Sequence, residues 1–176
     1  MAATFVWEEA NGVAQTITSS RGEVNWKNID DSTTAYTASP ITAGQISFGK
    51  WQYMKFSGTY NQILNGLWAH TAGVLGTGLT LWGAPTGASQ LTYATPSKTL
   101  KETGTVLTVN MSTVITIGSG TPVYFGATSA NTAGKTASTT ANAAYTNYLT
   151  TQLETTVSAA PGDTVTVTLT LQYDEN

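Results

Sequence analysis

The sequence predicts an all-β protein, a single antiparallel β-sandwich of the jelly-roll type. Residues 164–173 alternate polar and apolar side chains without a break, so one face of a strand there is apolar and the other is mostly threonine. A helix of 3.6 residues per turn would scatter these apolar groups around its circumference. Threonine makes up about one residue in five and glycine 17 of 176, which is typical of β-proteins with many turns.

The chain is predicted to be one domain with an N-terminal extension. At 176 residues it fits a single domain with a sizeable core. Residues 1–10 are interpreted as an N-terminal arm or a short strand, and residues 11–176 as the β-sandwich domain. Within that domain, residues 127–144 consist almost entirely of Ala, Thr, Ser, Asn and Gly. They carry too little large apolar surface to bury and are predicted to be a mobile loop.

Turn signals divide the first fifty residues into short elements. After the turn pair Asn11-Gly12, Val13–Ser19 alternates and is predicted to be a strand. Glu23–Lys27 is predicted to be a further short strand. Residues 28–45 are predicted to be an extended loop rather than a helix, because Pro40 disfavours helical geometry at the residue that precedes it.

Strands at spacings of about ten residues are predicted in the middle of the chain, which is typical of a sandwich or barrel. Tyr145–Val157 fits both a helical stripe and a strand alternation, and its two threonine pairs favour the strand. The other predicted strands after residue 50 are 51–60, 63–70, 79–82, 106–109, 114–117, 122–125 and 164–173.

The charge of the chain is low and evenly spread. Only 10% of the residues are charged and the formal net charge is −3, with the seven basic residues dispersed along the sequence. Because binding to phosphates needs a clustered basic face, no nucleic-acid partner is expected. No stretch of sequence approaches the roughly 20 apolar residues of a membrane helix. The first residues also lack the pattern of a secretory signal, so we expect synthesis in the cytoplasm and no membrane partner.

No residue pattern in the sequence demands catalysis, a metal or a cofactor. His70 is the single histidine and the chain has no cysteine, which rules out three-histidine and thiolate metal sites. Neighbouring carboxylates such as Glu8-Glu9 face opposite ways on a strand and do not make an acid/base couple. Asp30-Asp31 has oxygen-rich neighbours that could hold calcium. A turn-forming role is favoured, because the spaced acids of a calcium loop are missing. We expect a protein that is not an enzyme.

Aromatic side chains are the remaining candidates for contacts with a partner. Of the five tryptophans, most are expected to be buried, because each indole contributes about 150–250 Å² of core area. Trp51, Trp68 and Trp82 are therefore expected mostly in the core. The candidate partner-contact residues are those near the N-terminus: Phe5, Val6, Trp7 and Trp26.

Several segments of the sequence resemble virion proteins of tailed bacteriophages. The resemblance spans most of the chain and rests on structural motifs rather than on a catalytic signature. The segments are Asn25–Asp31, Tyr36–Pro40, Ala43-Gly44, Ser47-Phe48, Trp51–Phe56, Tyr60–Ile63, Leu67–Gly73 and Pro161–Glu175.

The resemblance implies a capsid cement or decoration protein. Such proteins are small β-sandwiches, often homotrimers, that bind the outside of the major capsid lattice and form part of the virion. The implied partners are therefore the major capsid protein and further copies of this chain. An N-terminal arm could add a strand to a neighbouring sheet edge in such an assembly. The alternatives are a tail or head-fibre component and a carbohydrate-binding β-sandwich module that uses exposed tryptophans.

Overall fold

The computed structural model describes residues 4–57, 63–70, 75–83, 93, 95–98, 109–110, 116–117, 125–126, 144–146, 148–160 and 169–175. Over these residues the regular structure consists of β-strands and one 3-10 turn, without an α-helix. The all-β prediction is confirmed, whereas the sandwich and jelly-roll arrangement stays a prediction. The predicted mobile loop, residues 127–144, lies outside the described residues apart from Ala144.

The strands of the described residues fall into two sheets. In chain order they are β1 (Thr4–Asn11), β2 (Thr16–Thr18), β3 (Lys50–Ser57), β4 (Ile63–His70), β5 (Leu79–Gly83), β6 (Val109–Asn110), β7 (Thr116–Ile117), β8 (Phe125–Gly126), β9 (Ala144–Thr146), β10 (Leu149–Thr155) and β11 (Leu169–Glu175).

The main sheet is antiparallel and has the strand order β2-β1-β3-β10-β5-β6, with β9 also pairing with β3 and with β8. Its longest ladder joins β1 to β3, where Thr4 lies opposite Ser57 and Ala10 opposite Trp51 in unbroken register. The second sheet has the order β11-β4-β7, and β11 contains an irregularity between Gln172 and Asp174. The alternating pattern at the C-terminal end of the sequence therefore includes a strand.

Period-two alternation gives the main sheet two distinct faces. Directly opposed residues of antiparallel strands share a face, and successive residues of one strand point to opposite faces. We call one face the charged face and the other the aromatic face. The charged face carries Glu9, Asn11, Lys50 and Gln52, and the aromatic face carries Ala10, Trp51 and Tyr53.

Strand β3 is buried on both faces, because other parts of the chain cover each of them. Phe56 is fully buried and Met54 and Trp51 nearly so, and Leu149 of the neighbouring β10 is 1% exposed. Trp82 is half-buried. Two polar members of β3, Lys50 and Gln52, are as deeply buried as the apolar ones, which ordinary alternation does not predict.

Two predictions for the first fifty residues are wrong, and the predicted strand Val13–Ser19 is too long, because only Thr16–Thr18 forms a strand. Glu23–Lys27 is not a strand: Trp26 and Lys27 at its end contact the sheet and the segment above it, and Lys27 is only 1% exposed. Tyr36–Ala38 forms a 3-10 turn inside the loop that was expected to be extended. The turn ends at Ser39, because the constraint that proline imposes acts on the one residue before it and not on the residues further upstream.

The segment that fitted both a helix and a strand is confirmed as a strand, divided into β9 and β10. Both pieces lie against β3, but Tyr145 pairs with Lys55 whereas Leu149 pairs with Gln52, so the register shifts by one residue between them. Tyr148 lies in this interruption of the ladder. Extra residues of this kind change the direction of a side chain at a sheet.

Gly78 precedes β5 with a φ of +77°, and a Cβ there would lie 2.3 Å from Thr156 Oγ1. We expect Gly78→Ala to lower the free energy of unfolding by about 3 kcal/mol, from backbone strain and the clash together. Gly12→Ala has the same kind of φ, +70°, with open space around it, and is expected to cost about 1–2 kcal/mol. Urea unfolding compares the two, with Gly22→Ala as the unstrained control. An equal loss in the free energy of unfolding for Gly78→Ala and Gly12→Ala would contradict a contribution from the clash.

Candidate functional site

The segment between β2 and β3 lies over the charged face of the main sheet. Trp26 donates its indole N–H to Thr151 Oγ1 of β10 at 3.0 Å. At the edge of the sheet, the hydroxyls of Thr18 on β2 and Ser32 lie 2.6 Å apart. These contacts place residues 26–34 directly over Glu9 and Lys50, so that the charged groups of the face are enclosed. We call residues 26–39 the covering segment.

An ion pair between Glu9 and Lys50 forms the centre of the enclosed region. Lys50 Nζ lies 3.0 Å from Glu9 Oε1, and both side chains are 1% exposed. The same ammonium donates to the backbone carbonyl of Asp31 at 2.9 Å, which attaches the covering segment to the sheet. Burial lowers the pKa of Lys50, and the neighbouring Glu9 carboxylate opposes that shift.

Glu9 receives further hydrogen bonds from its neighbours on the charged face. Asn11 Nδ2 donates to Glu9 Oε1 at 3.1 Å, and Gln52 Nε2 donates to Oε2 at 3.3 Å. Arg21 Nε lies 3.9 Å from the second oxygen. A buried carboxylate with a lysine, an arginine and two amides around it is well compensated for the loss of water.

A second ion pair, between a buried lysine and a half-buried carboxylate, fixes the covering segment itself. Lys27 is 1% exposed and donates to Asp31 Oδ1 at 2.6 Å and to the Thr34 carbonyl. Asp31 also accepts the backbone N–H groups of Thr33 and Thr34, at 3.0 and 2.8 Å, and the Thr34 hydroxyl. Burial alone raises the pKa of Asp31, but the hydrogen bonds from Lys27 and Thr34 outweigh it, so the pKa lies well below its ordinary value.

These bonds identify Asp31 as the turn-forming residue that the sequence favoured. Asp30, beside it, accepts the backbone N–H of Gly12 at 2.8 Å and Asn11 Nδ2 at 3.0 Å. Among the described residues no group of three or more acidic, histidine or cysteine side chains could hold a metal ion. The acidic pair thus attaches the hairpin turn between β1 and β2 to the covering segment.

The same hairpin turn is also held from the aromatic face. Tyr93 donates its hydroxyl to the Gly12 carbonyl at 2.7 Å, and Gln15 Nε2 donates to the Tyr148 hydroxyl at 2.6 Å. Tyr148 packs edge-on against Trp51 and Tyr53, with ring centroids 5.3 and 5.2 Å apart. Burial raises the pKa of Tyr93 and of Tyr148, so both phenols stay protonated and the turn is fixed on both sides.

Large apolar side chains are exposed on the hairpin turn and on the elements next to it, and we call them the apolar rim. On edge strand β2, Ile17 pairs with Ala10 and so shares the aromatic face, whereas Ile29 and Tyr36 belong to the covering segment on the charged face. Hydrogen bonds bring their neighbours together: Gly12 N–H to Asp30, and the Asn28 N–H to the Ser39 carbonyl at 2.9 Å. The apolar rim consists of Val13, Ile17, Ile29 and Tyr36, which are 87, 41, 40 and 44% exposed.

The four predicted contact residues do not form one cluster. Phe5 is 54% exposed, with its ring centroid 6.4 Å from that of Phe56. Val6 and Trp7 are half-buried on β1 and face opposite sides of the sheet. Trp26 is half-buried and lies over β10.

Sequence reasoning did not find the apolar rim or the buried charges. The rim joins residues near position 12 to residues near position 30 through side-chain bonds that no local pattern reveals. For the buried charges the sequence contains one signal. Lys50 directly precedes the predicted strand 51–60, in which apolar and aromatic residues recur at every second position, so a lysine there adjoins a largely buried strand. The expectation that Glu8 and Glu9 face opposite ways is confirmed, because Glu8 accepts the Ser19 hydroxyl while Glu9 binds Lys50.

His70, the histidine considered for catalysis, lies at the end of β4, where its backbone pairs with Leu169. No helix in the described part of the chain is long and apolar enough to cross a membrane. Comparison of the chain with protein-family models, with curated proteins and with solved structures finds no match. The site is therefore interpreted from its own geometry.

Asp31→Asn removes the charge that Lys27 binds and leaves a buried ammonium without a counter-charge. We expect the free energy of unfolding at neutral pH to fall by about 3 kcal/mol. Because the folded pKa of Asp31 lies below the unfolded one, its contribution is complete above about pH 4 and is lost as the pH falls through the folded pKa.

Urea unfolding measured from about pH 7 down to about pH 2 should therefore show a steeper acid loss for the wild type than for the Asp31→Asn variant. Glu23→Gln, at an exposed carboxylate, is the control and should follow the wild type. If the free energy of unfolding fell in parallel with pH for the wild type and for Asp31→Asn, the lowered pKa of Asp31 in the folded protein would be contradicted.

Proposed function

We propose that this protein is a structural component of a tailed-phage particle, a capsid cement protein that binds the outside of the major capsid lattice as a homotrimer. The observation that carries the proposal is the apolar rim, a set of exposed apolar side chains on a rigidly held turn and segment. The resemblance of the sequence to phage virion proteins supplies the partner. Function then consists of adhesion rather than conversion of a bound compound.

Rigidity of the apolar rim favours adhesion. The turn at Gly12 is bonded to Asp30 on one side and to Tyr93 on the other. A surface that is already ordered loses little conformational entropy when a partner binds it. The exposed apolar area can then contribute to affinity without first having to be fixed in place.

The low charge of the surface also fits a cement protein. Two of the seven basic side chains, Lys27 and Lys50, are buried, so the exposed surface is even poorer in charge than the composition indicates. Such a surface meets a capsid lattice with little electrostatic repulsion. In a closed trimer the rim would occur three times, and linked weak contacts gain strongly from effective concentration.

Val13→Asp tests the apolar rim on purified expanded capsids that lack the protein. We expect a loss of capsid occupancy of at least about tenfold in apparent affinity, because a charge must be desolvated at the contact. Val157→Asp is the matched control: the same residue type, 88% exposed against 87% for Val13, in the turn after β10. Both variants should unfold within about 0.5 kcal/mol of the wild type.

Equal occupancy for Val13→Asp and wild type would contradict the rim as the contact. A monomer in sedimentation would contradict the trimer. A glycan that binds the wild type and is lost on Trp26→Ala would favour the carbohydrate-binding alternative instead. Point substitution is used because residues 4–11 form β1, and their deletion would remove a strand of the main sheet.

A further inference from the structure

Three buried side chains on the charged face meet at one atom. Glu9 Oε1 accepts a hydrogen bond from Lys50 Nζ at 3.0 Å and another from Asn11 Nδ2 at 3.1 Å. The lysine and the asparagine lie on neighbouring strands, one position beyond the paired residues Ala10 and Trp51. An amine and a carboxamide are thus held side by side with a carboxylate in contact with both.

All three groups are shielded from water. Lys50 and Glu9 are 1% exposed and Asn11 is 6% exposed. Desolvation favours the neutral amine, and burial lowers the pKa of Lys50 accordingly. The second N–H of the Asn11 carboxamide donates to Asp30 Oδ1 at 3.0 Å, so its nitrogen lies between two carboxylates. Its oxygen, Oδ1, accepts no hydrogen bond from the described residues.

We propose that Lys50 and Asn11 form an intramolecular isopeptide bond, with Glu9 as the group that carries the proton. Nothing in the proposed function requires this bond, and the inference goes beyond it. The arrangement supplies the three parts that the reaction needs: a desolvated nucleophile, a carboxamide carbon and an acid/base group in contact with both.

The reaction balances without an added reagent. A proton passes from Lys50 Nζ to Glu9 Oε1, and the lone pair of the neutral amine attacks Asn11 Cγ. The tetrahedral intermediate collapses when Glu9 gives its proton to Nδ2, and the Cγ–Nδ2 bond breaks. Glu9 then takes the extra proton from Nζ and transfers it to ammonia, which leaves as an ammonium ion. An alkylammonium and a carboxamide thus become a secondary amide and an ammonium ion, and Glu9 is again a carboxylate.

Two other pairs in the structure lack part of this arrangement. Lys27 touches Asp31, whose carboxylate is held ionised by several donors and is a poor acceptor for an amine. Lys98 touches Asn28 Oδ1, but Asn28 is exposed and Lys98 only half-buried, so this pair is not shielded from water. The Lys50–Asn11 pair combines burial with an intervening carboxylate.

The bond would join the end of β1 to the start of β3. These strands are already paired, so the bond does not change the fold. It closes residues 12–49 into a covalent loop. That loop contains the apolar rim and the covering segment. A covalent closure restricts the unfolded chain, and it keeps this region attached when the ladder between β1 and β3 is pulled or heated.

Mass spectrometry of the folded full-length protein tests the bond directly. The intact mass should be about 17 Da below that of the sequence, the mass of one ammonia. Trypsin should release residues 1–21 joined to residues 28–55, because an acylated Lys50 is no longer cleaved. The joined peptide distinguishes the proposed bond from a succinimide at Asn11-Gly12. A succinimide would also lose ammonia, but it would leave residues 28–50 as a separate peptide.

Substitutions separate the roles of the three groups. Lys50→Arg keeps the positive charge but cannot attack, and Glu9→Gln keeps the size but cannot accept the proton; each should abolish the joined peptide. Lys98→Arg should leave it at the wild-type level. Circular dichroism confirms that each variant is folded before it is digested. A folded wild type that yields residues 28–50 in full and no joined peptide overturns the proposal.

Discussion

The ion pair of Glu9 and Lys50 is the interaction on which the rest of the described structure depends. It lies between the main sheet and the segment that covers it, and Lys50 contacts both: the carboxylate of β1 and a carbonyl of the covering segment. As long as the proposed bond has not formed, removing either charge by substitution would leave the other buried, a larger loss than the pair itself contributes. The position of the covering segment, and with it that of the rim residues Ile29 and Tyr36, follows from this contact.

Buried charges are an expensive way to hold a segment on a sheet, because both ions lose their hydration. Apolar side chains of equal volume would give comparable stability. Charged contacts differ from apolar contacts in one respect: they allow the covering segment only one position on the sheet. A shift of the segment by one residue would separate Lys50 from its carbonyl partner on Asp31, and the buried ammonium would lose that hydrogen bond. The geometry of the rim is thus more sharply defined than apolar packing would make it.

Alternation in the sequence was sufficient to predict the fold class and several strands. Ile63–His70 was predicted to the residue, and the strand preference in Tyr145–Val157 was right. The buried lysines could not be predicted, since lysine is among the residues least often buried and its partners come from other strands. For the same reason Glu23–Lys27 was wrongly given a strand. Local pattern reports which residues favour a strand, whereas burial on the charged face depends on contacts distant in sequence.

The paired state of β1 limits the ways in which the proposed binding to a capsid could occur. Its residues Thr4–Ala10 are bonded along their length to β3, so this segment would have to break a ladder before it could add to a neighbouring sheet. Strand β2, at the edge, is three residues long and bears two threonines, which limits edge-to-edge association. Adhesion through backbone pairing is therefore disfavoured at this end of the sheet. The proposed binding would therefore use side chains at this end of the sheet, above all the exposed ones of the rim.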